Sequence, residues 1–399
     1  MTDMKQGWMI ILLGLTLFML SGCLQQADEE EEQDVIVVEE TEDEESEVVF
    51  TPTVDSDDNF YRTVLEDGTY YRSDARGVVS DAFRNRVDLD HFERGLTELA
   101  SGVYSTDEYY FTEGQQLSGD LINSWIRRYD PEIENELQRG LNPELAGSDD
   151  DPMDERMRDA PLMISHIMEH NYWRGSEEEG AQLDGIMIGI GLRAVYYFNT
   201  TNEDGTINFY EESLDESEVQ EYGREQAQVI LNRLRSREDL QDVPISFALY
   251  QEKPDGAVAP GGFTAFAQVD GGSLQIGGWE DIDENFIVFP SSEASSYDAN
   301  LSNQMSQFRE EVEDFFDRKI GAVGVGRYNN DILEELTIEL NLQSHGQAEI
   351  IALSQFISDR LNEVLTVQVP IKVYVESING MEAIIIQHPD EEPFMHVLN

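Results

Sequence analysis

Two alternating apolar segments open with the same tripeptide, Val243-Pro244-Ile245-Ser246-Phe247-Ala248-Leu249-Tyr250 and Val369-Pro370-Ile371-Lys372-Val373-Tyr374-Val375-Glu376. Alternation with a period of two marks a strand, and proline is tolerated there only at the first position, on an edge or at a bulge. Each segment follows a helical pattern: Val219, Tyr222, Ala227, Ile230 and Leu234 in the first case, Ile350, Leu353, Ile357, Leu361 and Val364 in the second. Before each helix stands a strand candidate, Ile186 to Phe198 and Leu336 to Leu342. After each Val-Pro-Ile segment comes a strand led by glycine, Gly262 to Val269 and Gly380 to Gln387. The recurring order strand, helix, strand, strand predicts a fold made twice.

Local signals agree with that order. Ser213 with Glu216, and Ser344 with Gln347, have the spacing of capping boxes, in which the two side chains satisfy orphan amides at a helix start. Upstream, Tyr109-Tyr110-Phe111 precedes a short helix with Leu121, Trp125 and Ile126. Phe286 to Phe289 precedes a helix with Leu301, Met305, Phe308, Val312 and Phe315. The segment Asp130 to Asp159, rich in Pro, Gly and acids, is expected to be a surface insertion in the first copy. The expectation is an α+β protein of two tandem, structurally similar repeats, 57–272 and 273–399, meeting near Gly271-Gly272, each packing helices on a mostly antiparallel sheet.

The first 22 residues have the form of a cleavable leader. Lys5 is followed by an apolar run from Trp8 to Leu20, too short to span a bilayer and right for a secretory core. Leu20-Ser21-Gly22-Cys23 is the small-residue approach to a lipidated cysteine, and Cys23 is the only cysteine of 399 residues, so no intrachain disulfide is possible. Two acyl chains on its sulfur would give stable anchoring. The alternative is an uncleaved apolar anchor beside an incidental cysteine.

Residues 23–56 read as an acidic tether. Between Leu24 and Asp55 stand fourteen acidic residues and no basic one, a composition that cannot bury enough surface to fold. From Ser56 onward the chain still has 68 acidic and 24 basic residues, so the folded surface is itself acidic. Nucleic acid is excluded as a partner, since phosphate contacts need clustered positive charge. Arginine outnumbers lysine, 21 to 4, and keeps its charge at pH values where lysine loses a proton. Together with the acidic surface, this points to an alkaline or saline medium outside the cell.

Possible chemistry is concentrated in one short pattern. His166-Ile-Met-Glu169-His170 matches H-x-x-E-H, in which two histidines one helical turn apart hold zinc and the glutamate activates water. The competing reading is an amphipathic helix with Leu162, Met163 and Ile167 inward and the histidines beside Tyr172 and Trp173. The other histidines, His91, His345, His388 and His396, show no comparable spacing. Gly189-Ile-Gly191-Leu-Arg-Ala194 is similar to a dinucleotide fingerprint, yet a strand-like run, Val195 to Phe198, follows where the pyrophosphate needs a helix; these are read as strand glycines. Gly321 to Gly326 lacks the Lys-Ser/Thr of a phosphate loop and is read as a helix stop and turn. Tyr109, Tyr110, Trp173, Tyr196, Tyr197 and Trp279 fit a core or a pocket for a peptide or sugar. No cofactor is expected.

Several motifs together resemble the CamS family of sex-pheromone lipoproteins of Gram-positive bacteria. They are the lipobox ending at Cys23, Phe92-Glu-Arg-Gly-Leu-Thr-Glu-Leu99, Tyr109-Tyr-Phe-Thr-Glu-Gly-Gln115, Ser124-Trp125 and Gly140-Leu-Asn-Pro143. The resemblance spans the whole mature part and implies two similar tandem repeats with no established reaction. It also implies that the end of the leader, here Thr16-Leu17-Phe18-Met19-Leu20-Ser21-Gly22, is trimmed to a peptide read by a receptor on a neighbouring enterococcal cell. An inert leader fragment is the competing reading. The expected protein is therefore a lipid-anchored, extracytoplasmic, non-enzymatic pheromone precursor. Its alternatives are a surface metallohydrolase using His166, Glu169 and His170, or a ligand-delivery lipoprotein with a cleft between two lobes.

Overall fold

The computed structural model describes residues 48–51, 60–76, 85–176, 180–315, 320–343 and 346–398, all within one compact unit, Ser46–Asn399. The leader segment Thr16 to Gly22, Cys23, the tether up to residue 47, and Ser344 with its capping box lie outside the described residues.

In chain order the first half holds β1 (Val48–Phe50), β2 (Arg62–Glu66), β3 (Thr69–Tyr70), α1 (Arg86–Ser101), β4 (Tyr110–Glu113), α2 (Gly119–Trp125), α3 (Met153–Asp159), β5 (Ile164–Ser176) and β6 (Gly180–Leu192). It continues with β7 (Val195–Thr201), β8 (Ile207–Ser213), α4 (Glu216–Arg235), β9 (Ile245–Gln251), β10 (Gly262–Val269) and β11 (Glu280–Asp281). The second half holds β12 (Glu284–Phe289), α5 (Ser292–Tyr297), α6 (Ala299–Phe315), β13 (Gly321–Asn329), β14 (Ile332–Leu342), α7 (Gln347–Val364), β15 (Ile371–Ser377), β16 (Gly380–Gln387) and β17 (Phe394–Val397). The class is α+β, as the element pattern predicts.

One sheet has the order β1-β2-β4-β5-β6-β9-β10-β11 with β3 on β2; the other runs β12-β13-β14-β15-β16-β17. Each contains a parallel crossover at a Val-Pro-Ile segment, and the first sheet has a further parallel pair, β2 with β4 across α1. β6 pairs in parallel with β9 after α4, and β14 with β15 after α7, each followed by an antiparallel return strand. Proline has no N–H to give a ladder, but its carbonyl accepts: Ile186 N–H donates to Pro244 O and Leu336 N–H to Pro370 O, both at 3.0 Å. The prolines therefore cap the first rung of these two parallel pairs.

The helices form where sequence periodicity places them, with small boundary shifts. α4 is capped by Asp215, whose carboxylate accepts from the amides of Ser217 and Glu218, so the Ser213–Glu216 box does not form; Ser213 ends β8. At α7 the back-reaching partner is Glu349, which accepts from Gly346 N–H at 2.7 Å. The run Ile186 to Phe198 is two strands broken at Arg193-Ala194, where the β7–β8 hairpin branches from the crossover.

The first sheet is buried on both faces. Ile167, Ile186, Ile188, Ile190, Phe247 and Leu249 meet α2 and α4 on one side. Met168, Tyr172, Met187, Ala248 and Tyr250 meet Phe92 and Leu96 of α1 on the other. The second sheet buries one face against α6 and α7 and leaves the other half-exposed, which gives β13 and β15 a clean alternation. Glycines let the helices approach. A Cβ on Gly189 would lie 2.6 Å from Phe92 Cζ, and one on Gly324 would lie 2.6 Å from Met305 Cε. Gly189 and Gly191 are thus strand glycines. The reading of Gly321 to Gly326 as a helix stop and turn is corrected: these residues are the body of β13, and Gly324 is small because α6 packs onto it.

Gly189→Ala places a methyl group against a fully buried ring and against Leu96, and is expected to cost about 1–3 kcal/mol through overpacking. A lowered urea midpoint at unchanged m-value checks this.

Candidate functional site

The H-x-x-E-H segment lies on β5, not on a helix, and both helical readings of it are corrected. Four residues along a strand span roughly 13 Å, and neighbours alternate between faces. His166 and His170 share the α1 face with Met168 and Tyr172, while Glu169 points the other way, so the pattern does not assemble a zinc site. Among the described residues no group of three His, Cys, Asp or Glu side chains is placed to hold a metal. Burial pulls both imidazoles down to about 3, so each is neutral. Glu169 works on the turn before α2: its carboxylate accepts from Leu117 N–H at 2.7 Å, Gln116 N–H at 3.0 Å and Asn171 Nδ2 at 2.5 Å.

A cavity opens beside this segment because β4 ends at Glu113 while β5 runs on past it. It measures about 200 Å³ and is lined by Leu89 and Glu93 of α1, Glu113, Ile167 to His170 of β5, and Ser73, Ala75 and Arg76. Glu113 stands directly opposite His170 in the ladder. Its carboxylate accepts from Tyr70 OH at 2.7 Å and Ser73 N–H at 2.9 Å, and pairs with Arg76 Nη2 at 2.9 Å. Glu93 stands at the exposed mouth, its carboxyl raised by local desolvation and then by the charge of Glu113, against the pull of Arg76. Glu93 also lines a larger groove of about 680 Å³ along the outer face of α1. There Phe60, Tyr61 and Phe111 face Asp90, Arg94, Glu98 and, from β15 of the other sheet, Lys372.

Beneath the groove a buried polar knot joins the two sheets. Glu284 accepts from His91 Nε2 at 3.1 Å, Phe263 N–H at 2.9 Å and Arg327 Nε at 2.8 Å, and Arg327 reaches on to Glu98 at 2.7 Å. Burial alone would raise the Glu284 carboxyl, but the bond and charge of His91, with Arg327, hold it below its ordinary value. Asp88, one turn earlier on α1, accepts from Tyr250 OH at 2.8 Å and Gly261 N–H at 2.6 Å. None of these residues stood out in the sequence: His91 has no informative spacing, and the carboxylates are lost among so many.

The recognition motifs converge on this region. Phe92 to Leu99 is the middle of α1; Tyr109 to Gln115 is β4 with the turn that Glu169 holds. Trp125 is buried and donates from Nε1 to Leu137 O at 2.7 Å. Asn142, fully buried, uses its whole amide: Nδ2 donates to Ile126 O and Ile164 O, and Oδ1 accepts from Met163 and Ile164 N–H, all within 2.7–2.9 Å. It pins the insertion to the first residue of β5. A Cβ on Gly140 would fall 2.2 Å from Arg128 O, which explains its glycine. A family model for the CamS sex pheromone cAM373 precursor matches residues 70–393, the span holding all of these elements.

The chain belongs to the CamS family. The C-terminal domain of the sex pheromone staph-cAM373 precursor from Staphylococcus aureus is similar at 28% identity and a TM-score of 0.67, over 80% of this chain and 99% of that one. A sex pheromone precursor from Lactobacillus salivarius subsp. salivarius UCC118 is similar at 25% identity and a TM-score of 0.77, over 88% and 99%. No curated protein matches the chain. Among the described residues no helix is long and apolar enough to cross a membrane.

At the end of β9, close to Asp88, Glu252 is buried beside Arg193; desolvation outweighs that arginine and raises the carboxyl from 4.5 to about 7. The folded state thus holds this proton more tightly than the unfolded chain, and stability falls as pH rises from about 4.5 to 7. Glu252→Gln removes the penalty. Between pH 4.5 and 8, the stability difference between variant and parent is expected to move in the variant's favour by roughly 3 kcal/mol, read from urea unfolding across that range.

Proposed function

We propose that this CamS-family chain is a precursor with two products: a leader peptide, Thr16 to Gly22, that acts as a pheromone, and a lipoprotein held at the outer membrane surface through Cys23. The observation carrying this reading is the family match over residues 70–393 in a chain that also has Leu20-Ser21-Gly22-Cys23 after an apolar run. The expected tether, residues 23–56, is shortened by β1, since Val48–Phe50 pair with β2 and Phe50 is buried; the acidic stretch before β1 then lifts the folded part away from an anionic surface that repels it.

In this reading the folded part works by binding and not by catalysis. Support comes from the divided H-x-x-E-H residues and from a groove and cavity lined by motif residues of α1 and β4. The two sheets are read as copies of one unit, 57–272 and 273–399. That reading is supported by the shared order of antiparallel pair, parallel crossover through a helix, and antiparallel return, with Val-Pro-Ile at the same rung.

Synthetic heptapeptide Thr16 to Gly22 is expected to induce clumping of a responder strain carrying a conjugative plasmid; absence of clumping at micromolar peptide removes the pheromone claim. In expressing cells, the parent is expected to incorporate labelled palmitate and fractionate with membranes. Cys23→Ala should lose the label, and a variant that keeps it rules out this cysteine as the anchor.

A further inference from the structure

We propose that the cavity at the open edge of β5 binds a primary ammonium group carried on a short apolar body. This concerns the folded part alone and goes beyond the precursor reading, whose clumping and palmitate assays do not bear on it.

The polar groups select the ligand's head. His170 is 3% exposed and lines the cavity; its buried Nδ1 has no hydrogen-bond partner among the described residues, and its ring meets Phe111 edge to face at 5.0 Å between centroids. A buried polar group without a partner is costly, and a neutral imidazole offers one acceptor nitrogen. On the same side stand the carboxylates of Glu113 and Glu93, which repel each other. Among the described residues the only countercharge lining the cavity is Arg76, which is more than half exposed. An ammonium has three donors, no acceptor and a compact positive charge, so it satisfies the imidazole and relieves the carboxylate pair together. A carboxylate or phosphate ligand meets like charge, and an alcohol has one donor for three acceptors.

The walls select the body. Leu89, Ile167 and Met168 enclose about 200 Å³, below the size of usual drug-like sites and enough for a few methylenes or one aliphatic side chain. Glu93 lines both this cavity and the groove that holds Phe60, Tyr61 and Phe111. A free alkylamine and the amino terminus of a peptide with an aliphatic first residue share this chemistry; in the second case the chain continues along the groove.

Titration calorimetry on the full chain in mild detergent tests the proposal with n-pentylammonium, 1-pentanol, pentanoate, leucyl-alanyl-alanine amide and its N-acetyl form. At least one free amine should bind saturably at one site, at least tenfold more tightly than the alcohol, the acid or the acetylated peptide. Glu93→Gln, at the exposed mouth, and His170→Phe should each weaken that binding at least tenfold with the circular dichroism unchanged. If His170→Phe misfolds, Glu93→Gln decides alone. Tighter binding of the peptide than of pentylammonium assigns the site to peptide termini, and the reverse order to free amines. No saturable heat with either amine, equal binding of pentanol, or full affinity in folded Glu93→Gln overturns the proposal.

Discussion

Burial of β5 and β6 on both faces is the constraint from which most of the architecture follows. A sheet covered by α1 on one side and by α2 and α4 on the other has no solvated surface for polar groups, so every one within it needs a partner or loses its charge. Glu169 is consumed by backbone amides, Asn142 by four bonds to its surroundings, and the two imidazoles of β5 are neutral. Close approach of α1 then requires glycine on β6, because Phe92 occupies the space a side chain would fill.

The same constraint decides what was legible beforehand. Where one face is half-solvated, the alternation survives: β15 lies where the pattern puts it, and the return strand Gly380–Gln387 starts and ends as expected. Where both faces are buried, alternation is erased, and His166 and His170 at i and i+4 imitate a helix face. The glycines of β13 misled for a related reason. Gly324 answers to a methionine on a distant helix, and no local signal separates that demand from a turn.

The site was legible only in part. Glu93 and Glu113 lie inside the recognition motifs, so the sequence marked Phe92 to Leu99 and Tyr109 to Gln115 as identifying without saying what they do. Glu93 and Glu113 acquire their roles from ladder register and from the end of β4, and Glu284 and Arg327 from the meeting of two sheets. Such juxtapositions are long-range, and in a chain with 83 acidic residues no single carboxylate announces itself.

The parallel crossovers bear on how the molecule comes into being. A parallel rung forms only after the intervening chain closes, and the entropic cost of closure grows with its length. The first sheet must close from Ile186 to Ile245 around a helix and an inserted hairpin, the second from Leu336 to Ile371 around a helix alone. The half that leaves the ribosome last therefore has the cheaper rung to close. The earlier half meanwhile waits with an apolar ladder open on both faces, which makes β5, β6 and β9 the segments most in need of shielding while the chain folds.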